Sequence, residues 1–116
     1  MYQLAMKHIY GDGVEEDNPR AYVLLENAAV QGHTEAMYNL AICCHYGYGT
    51  ETDMSRAYGL YMETALKGHD KGMVLVGMFN ENGWHVENDA SEAIKWYEKA
   101  AALGNPEAQQ ALERLI

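Results

Sequence analysis

The segment Tyr38-Asn-Leu-Ala-Ile-Cys-Cys-His-Tyr-Gly-Tyr-Gly-Thr-Glu-Thr-Asp53, continued by Ser55-Arg-Ala-Tyr-Gly-Leu-Tyr-Met-Glu-Thr-Ala-Leu-Lys-Gly68, decides the fold, because the rest of the chain is this unit again. Shifted back by 36 residues it meets Tyr2, Leu4, Ala5, Tyr10, Gly11 and Gly13, then Asp17, Arg20, Ala21, Tyr22, Leu24, Ala29 and Gly32, all on identical partners. Shifted forward it meets Gly83, Asp89, Ala93, Tyr97, Ala101 and Gly104 in register. A fixed period without insertions means that each unit is one supersecondary element that covers its apolar face only against its neighbours. The chain therefore reads as a tandem array.

The period of the apolar residues within each unit is helical. Met1, Leu4, Ala5 and His8 share one stripe at the i, i+3, i+4, i+7 spacing of an amphipathic helix. Gly11, Gly47 and Gly83 follow the first helix of each repeat, where a left-handed residue stops the helix without a Cβ penalty. After the loop 11–17, Asn18-Pro19 has the form of an N-cap with proline at the first helical position. The second helix then runs to about Gln31 with Ala21, Leu24, Leu25, Ala28 and Ala29 turned inward. Repeat two gives helices from about Thr34 to Tyr46 and on to Lys67, and repeat three gives 70–82 and 90–103, with capping-box spacing at Asp89 and Glu92. Asn105-Pro106 caps a seventh helix. Its Gln109, Gln110, Glu113 and Arg114 suit a terminal helix with no further neighbour, so the C-terminus is expected to be natural. The expected architecture is all-α: one domain over residues 1–116, with repeats at about 1–33, 34–69 and 70–105 and a capping helix over 106–116. The N-terminal end opens partway through a helix. Around Met1, Leu4 and Ala5 it is expected either to self-associate as a homo-oligomer contact or to be covered within a longer array of which this is the C-terminal part.

Composition narrows the function. At 116 residues the chain is one domain by length, able to bury somewhat under about 70% of its unfolded surface without metal or disulfide staples. Its net charge is −9, and its eight Lys and Arg form no basic face that could neutralise phosphates, so neither nucleic acid nor an anionic membrane is an expected partner. Acidic residues gather between the helices: Asp12, Glu15, Glu16 and Asp17, then Glu51 and Asp53, then Glu87 and Asp89. Cys43 and Cys44 are neighbours in a helical pattern, where their side chains diverge by about 100° and cannot close an ordinary bridge. Free thiols agree with a reducing, cytoplasmic compartment; secretion or a periplasmic location stays open if the chain is a fragment. No charged-then-apolar leader opens the chain, and no apolar run approaches the ~20 residues of a membrane span.

These residues, Leu40-Ala-Ile-Cys-Cys-His-Tyr-Gly-Tyr-Gly-Thr50 with Asp53 and Ala57 to Ala65, resemble the Sel1-like repeat. So do Leu4-Ala5 to Gly11-Asp-Gly-Val14 with Asp17 and Ala21, and Gly83 with Asp89 and Ala93 to Ala101. The likeness covers essentially the whole chain, and its matches recur in phase. It implies a right-handed α-α superhelix, a solenoid of three helix pairs plus a C-terminal capping helix, related to tetratricopeptide (TPR-like) arrays and used as a scaffold or adaptor for other proteins. The chain departs from the pattern at His8, Cys44 and Asn80, where a tyrosine is common, and at His85, where the second loop glycine is expected.

The Gly-x-Gly pairs lack a preceding strand and sit among acidic loops, so turn geometry accounts for them better than a phosphate cradle. No His-x-x-x-His pair occurs, and His33, His69 and Asn105 share one helix-entry position, so capping is preferred to metal ligation. Asp12, Glu15, Glu16 and Asp17 lack the alternating ligands of a calcium loop. Some cysteine-rich relatives are described as beta-lactamases, but they pair cysteines within repeats. Here Ser55 and Ser91 are followed by Tyr58 and Ile94 where Ser-x-x-Lys needs lysine. Hydrolysis of that type is the least favoured reading, and no enzyme, cofactor or metal is expected.

A second stripe on the first helix of each repeat carries the functional expectation. If Met37, Leu40, Ala41 and Cys44 face the paired helix, then Tyr38, Ile42, His45 and Tyr46 point away, as do Tyr2, Met6, Ile9 and Tyr10, and Val74, Met78, Glu81 and Asn82. By analogy with tetratricopeptide arrays these line a concave face, and tyrosine and methionine suit a peptide groove. The expected partner-binding residues are Tyr2, Met6, Ile9, Tyr38, Ile42, His45, Tyr46 and Met78, for a protein or peptide with a basic rim that meets Glu35, Glu81 and Glu107. The alternative is a structural or homo-oligomerising module whose stripe is core.

Overall fold

The computed structural model describes the backbone of residues 14–116 and the side chains of residues 20–116. Among the described residues the structure is helix and loop without strand, in the order α1 (Val14–Val30), α2 (Thr34–Tyr46), α3 (Met54–Leu66), α4 (Asp70–Asn82), α5 (Ala90–Ala102) and α6 (Pro106–Leu115). The expected helix over residues 1–10 lies outside them. The chain divides into two compact units, Met1–Leu60 and Tyr61–Ile116.

In the first unit α1 packs on α2. Ala21, Leu25, Ala28 and Ala29 meet Ala36, Met37, Leu40 and Cys43 in one buried cluster, with Tyr22, Leu24 and Leu60 at its margin. Fully burying one side chain the size of Leu25 stabilises the fold by roughly 1.5–3 kcal/mol, and the alanines let the helix axes approach. In the second unit α4 packs on α5, and α5 on α6. Tyr61, Val76, Phe79 and Tyr97 are its largest fully buried side chains, Tyr61 meeting Phe79 edge-on at 5.7 Å.

The two described interhelix loops of the repeat pattern are closed by the same bonds. Gly47 is left-handed (φ 78°), and its N–H and that of Tyr48 both donate to the Cys43 carbonyl, at 2.8 and 2.9 Å. Gly83 (φ 70°) and Trp84 donate likewise to Phe79. Each loop then returns to its helix: Asp53 N–H donates to Cys44 O and Asp89 N–H to Asn80 O, both at 2.7 Å. The departures from the repeat pattern at Cys44 and Asn80 therefore leave this bond intact, because only their carbonyls make it. Asn80 is buried and satisfies its amide on Val76 O at 2.9 Å.

Three local expectations need correction. Helix α1 begins at Val14, so Asn18 is not its cap and Pro19 is its sixth residue. A proline there forfeits the backbone bond to the carbonyl four residues back and sets its ring against that carbonyl, a cost the helix carries near its start. The backbone of residues 15–17 belongs to that helix start and not to a loop. The capping box at α5 is half made. Glu92 N–H donates to Asp89 Oδ1 at 3.0 Å, but the Asp89 N–H is already committed to Asn80, and Glu92 lies 3.7 Å from the Lys95 ammonium. Among the shared entry residues His33 makes no side-chain cap, whereas His69 Nδ1 accepts from Gly72 N–H at 3.1 Å and Asn105 Oδ1 from Ala108 N–H at 2.9 Å.

Candidate functional site

The second unit holds an open cleft of about 550 Å³ between α4 and α6. One wall is a helix face: Val74, Met78 and Glu81 at i, i+4 and i+7, with Asn82 beside them. The opposite wall is Glu107, Gln110, Ala111 and Arg114, again at i, i+3, i+4 and i+7. Tyr97 of α5 closes it from behind. Its ring reaches that position because residue 77 is glycine: a Cβ there would lie 2.6 Å from the tyrosine ring.

Polar contacts fix the two walls to each other at both ends. At the start of α6, buried Asn105 caps the helix with its oxygen and donates its amide to Asp70 Oδ2 at 2.8 Å. At its end Arg114 forks onto Glu81, Nη1 to Oε2 and Nη2 to Oε1, the latter at 3.2 Å. Tyr97 donates its hydroxyl to Glu81 Oε1 at 2.7 Å. The Arg114 hydrogen bond, with help from Tyr97, holds the Glu81 carboxyl below its ordinary pKa against the opposing effect of burial. Burial, then the bond to Glu81, pushes the Tyr97 phenol up. The cleft therefore presents an ionised, doubly braced carboxylate beside half-buried Met78, with Val74 and Ala111 buried beneath.

The first unit holds a smaller, polar recess of about 220 Å³. Arg56 donates to the Tyr22 hydroxyl and, at 3.0 Å, to Glu26 Oε2, while its guanidinium lies 5.7 Å from the Tyr22 ring centre. Buried Cys44 lines it, and burial raises its thiol pKa, so the sulfur is a protonated thiol at neutral pH.

The expected binding residues fall into separate places. Tyr2, Met6 and Ile9 lie outside the described residues. Tyr38, Ile42 and His45 are half-buried on α2, and Tyr46 is 58% exposed. His45 stacks on Tyr46 at 4.3 Å, and Tyr46 on Tyr48 at 5.8 Å, a short aromatic ladder in the first unit. Met78 belongs to the cleft of the second unit, with Val74 and Glu81 of its own stripe. Sequence reasoning missed Tyr97, Gln110, Ala111 and Arg114. Their signal was present in the spacing of Glu107, Gln110, Ala111 and Arg114, a coherent face that polarity alone disguised as solvated surface.

Helix pairs repeating in phase, closed by the same loop bonds, define a helical-repeat protein of the all-α solenoid class. A family model described as the Sel1 repeat matches residues 1–33, 34–69 and 70–105, and the chain belongs to the Sel1 repeat family. Among solved structures it is similar to a protective antigen of uropathogenic Escherichia coli displaying an SLR fold, with a TM-score of 0.89, 31% identity and 96% of this chain covered. The match takes in 24% of the antigen, so this chain spans about a quarter of that protein's length. It is also similar to a Sel1 repeat protein from Oxalobacter formigenes, with a TM-score of 0.84 and 31% identity over 97% of this chain and 85% of the other. The cysteine rich protein B of Helicobacter pylori shares the fold at a TM-score of 0.78 and 18% identity, over 92% of this chain and 79% of that one. Among curated protein sequences, none matches. Sel1 repeats are generally protein–protein interaction scaffolds and typically non-enzymatic. No helix among the described residues is long and apolar enough to cross a membrane.

Proposed function

We propose that the protein is an interaction scaffold that receives a segment of a partner protein in the cleft between α4 and α6. The observation that carries this reading is the open cleft of about 550 Å³, with half-buried Met78 in its floor, between two walls already tied to each other through Asp70, Asn105, Glu81 and Arg114. An open cleft between helices that already hold each other is room for a further segment. The acidic character of the chain speeds encounter with a basic partner more than it adds affinity.

The test is selection of a displayed peptide library on the folded chain, followed by titration of a selected peptide into two variants. Met78→Ala removes floor, and Gln110→Trp fills the mouth. Each is expected to weaken binding by about 1–3 kcal/mol while helicity is kept. Undiminished binding in both folded variants moves the site elsewhere, the Tyr46 and Tyr48 ladder being the next surface to test.

A second reading, association through exposed helix ends, is favoured by Val30 and Leu66. These are repeat-equivalent residues, 87% and 72% exposed. Sedimentation at rising concentration distinguishes it: growth in mass that Val30→Ser and Leu66→Ser abolish supports self-association.

A further inference from the structure

We propose that Glu81 is the recognition carboxylate of this cleft, built to take the guanidinium of an arginine on the partner segment, and that Arg114 is its exchangeable placeholder in the unbound protein. The inference rests on the reading of the cleft as a peptide groove and adds the chemistry of its occupant.

Three observations carry it. First, Glu81 does not depend on Arg114 for its orientation. Tyr97, held in the core at 1% exposure, donates to Oε1, so the carboxylate stays aimed when the arginine leaves. Second, the two partners differ in burial. The Glu81 side chain is 16% exposed and Arg114 58%, so the guanidinium passes into water with little rearrangement while the carboxylate stays sheltered in the wall. Third, the charges are unbalanced. The other acidic residue of the lining is Glu107, so two carboxyl side chains stand against one arginine, and the whole chain has a formal net charge of −9. An incoming arginine reproduces both forked hydrogen bonds. It also lays its methylenes along Met78. Arg114 then regains hydration, and the affinity is set by the difference between the two arginines at one carboxylate.

The probes are acetyl-leucyl-arginine amide and its citrulline counterpart, which keeps the shape and loses the charge. Each is titrated into the full chain while the methyl signals of Met78 and Ala111 are followed by NMR. In Arg114→Gln the arginine probe is expected to bind at least about five-fold tighter than in wild type, with no gain for citrulline. In the double variant Arg114→Gln, Glu81→Gln that gain disappears. Equal gains for both probes would show that Arg114 merely blocks space, which overturns the assignment of Glu81 and leaves the groove reading standing. No gain for arginine in Arg114→Gln overturns the exchange outright. The groove reading itself stands or falls separately, on the selected peptides and Met78→Ala.

Discussion

His85 is the positive-φ residue that is not glycine among the described residues, at φ 63°, against 74° for its repeat equivalent Gly49. The sequence made this legible because glycine recurs at 13 and 49 and only there does the pattern break. A left-handed β-carbon costs about 1–2 kcal/mol, partly offset in a glycine variant by the entropy of the unfolded chain. His85→Gly is therefore expected to leave thermal stability unchanged or raise it by up to about 1 kcal/mol. A clear loss would mean that the imidazole makes a contact outweighing its strain. The two cysteines were equally legible as unpaired, and the structure adds their environment. Cys43 and Cys44 are 0% and 1% exposed, and burial, with Cys44 beside it, pushes the Cys43 thiol up to about 12. Neither should react with Ellman's reagent in the native state. Both should react together once denaturant opens the fold, and fast labelling of either without denaturant would show that the first unit opens locally.

At the scale of the element, the helix ends were readable from the glycines, and the exceptions have physical causes. Asn18-Pro19 looked like a helix start because proline is most at home there, but this helix carries its proline at the sixth residue at the loss of one backbone bond, so the motif fixes the start only loosely. The last helix stands where it was expected, but its polar residues were judged by type and not by spacing, so the face that Glu107, Gln110 and Arg114 share with the cleft went unread. Deviations inside helix packing were not legible at all, since they are compensated across elements. Thr64 and Gly72 occupy repeat positions held by Ala28 and Ala36, and by Ala100 and Ala108. Thr64 is wholly buried with its hydroxyl on Tyr61 O at 2.8 Å, and a Cβ at residue 72 would lie 2.0 Å from that hydroxyl oxygen. The larger residue on α3 is accommodated by the missing side chain on α4. Gly72→Ala is expected to destabilise by about 1–3 kcal/mol through overpacking despite its better helix propensity. Adding Thr64→Ala should restore most of the loss by recreating the alanine pair of the other repeats. Denaturant unfolding of the four proteins measures the coupling, and additive effects would contradict the compensation.

For the whole molecule, the acidic balance was plain from composition, but which carboxylates hold structure together depends on partners far apart in the chain. Glu81 meets Tyr97 and Arg114, and Asp70 meets Asn105; no local pattern joins them. Both carboxyls are held below their ordinary values, Glu81 first by the Arg114 hydrogen bond and Asp70 first by that of Asn105. A carboxyl depressed in the folded state contributes stability that is fully present above its unfolded pKa and is lost as pH falls through the folded one. For Glu81 the window opens near the ordinary value of 4.5 and extends downward. Lowering the pH also relieves the repulsion of a chain at −9, which acts in the opposite sense on total stability. The clean measurement is therefore a difference. Wild type and Glu81→Gln share every other titrating group, so their gap in melting temperature isolates this carboxylate. Wild type should be the more stable above about pH 4.5, and the gap should close below it as protonated glutamate comes to resemble glutamine. Since Arg114 is exposed, moderate salt should narrow the gap at neutral pH too. A gap that persists unchanged to pH 3 would mean that the carboxylate contributes through shape and packing, and that its charge is free to serve a partner without cost to the fold.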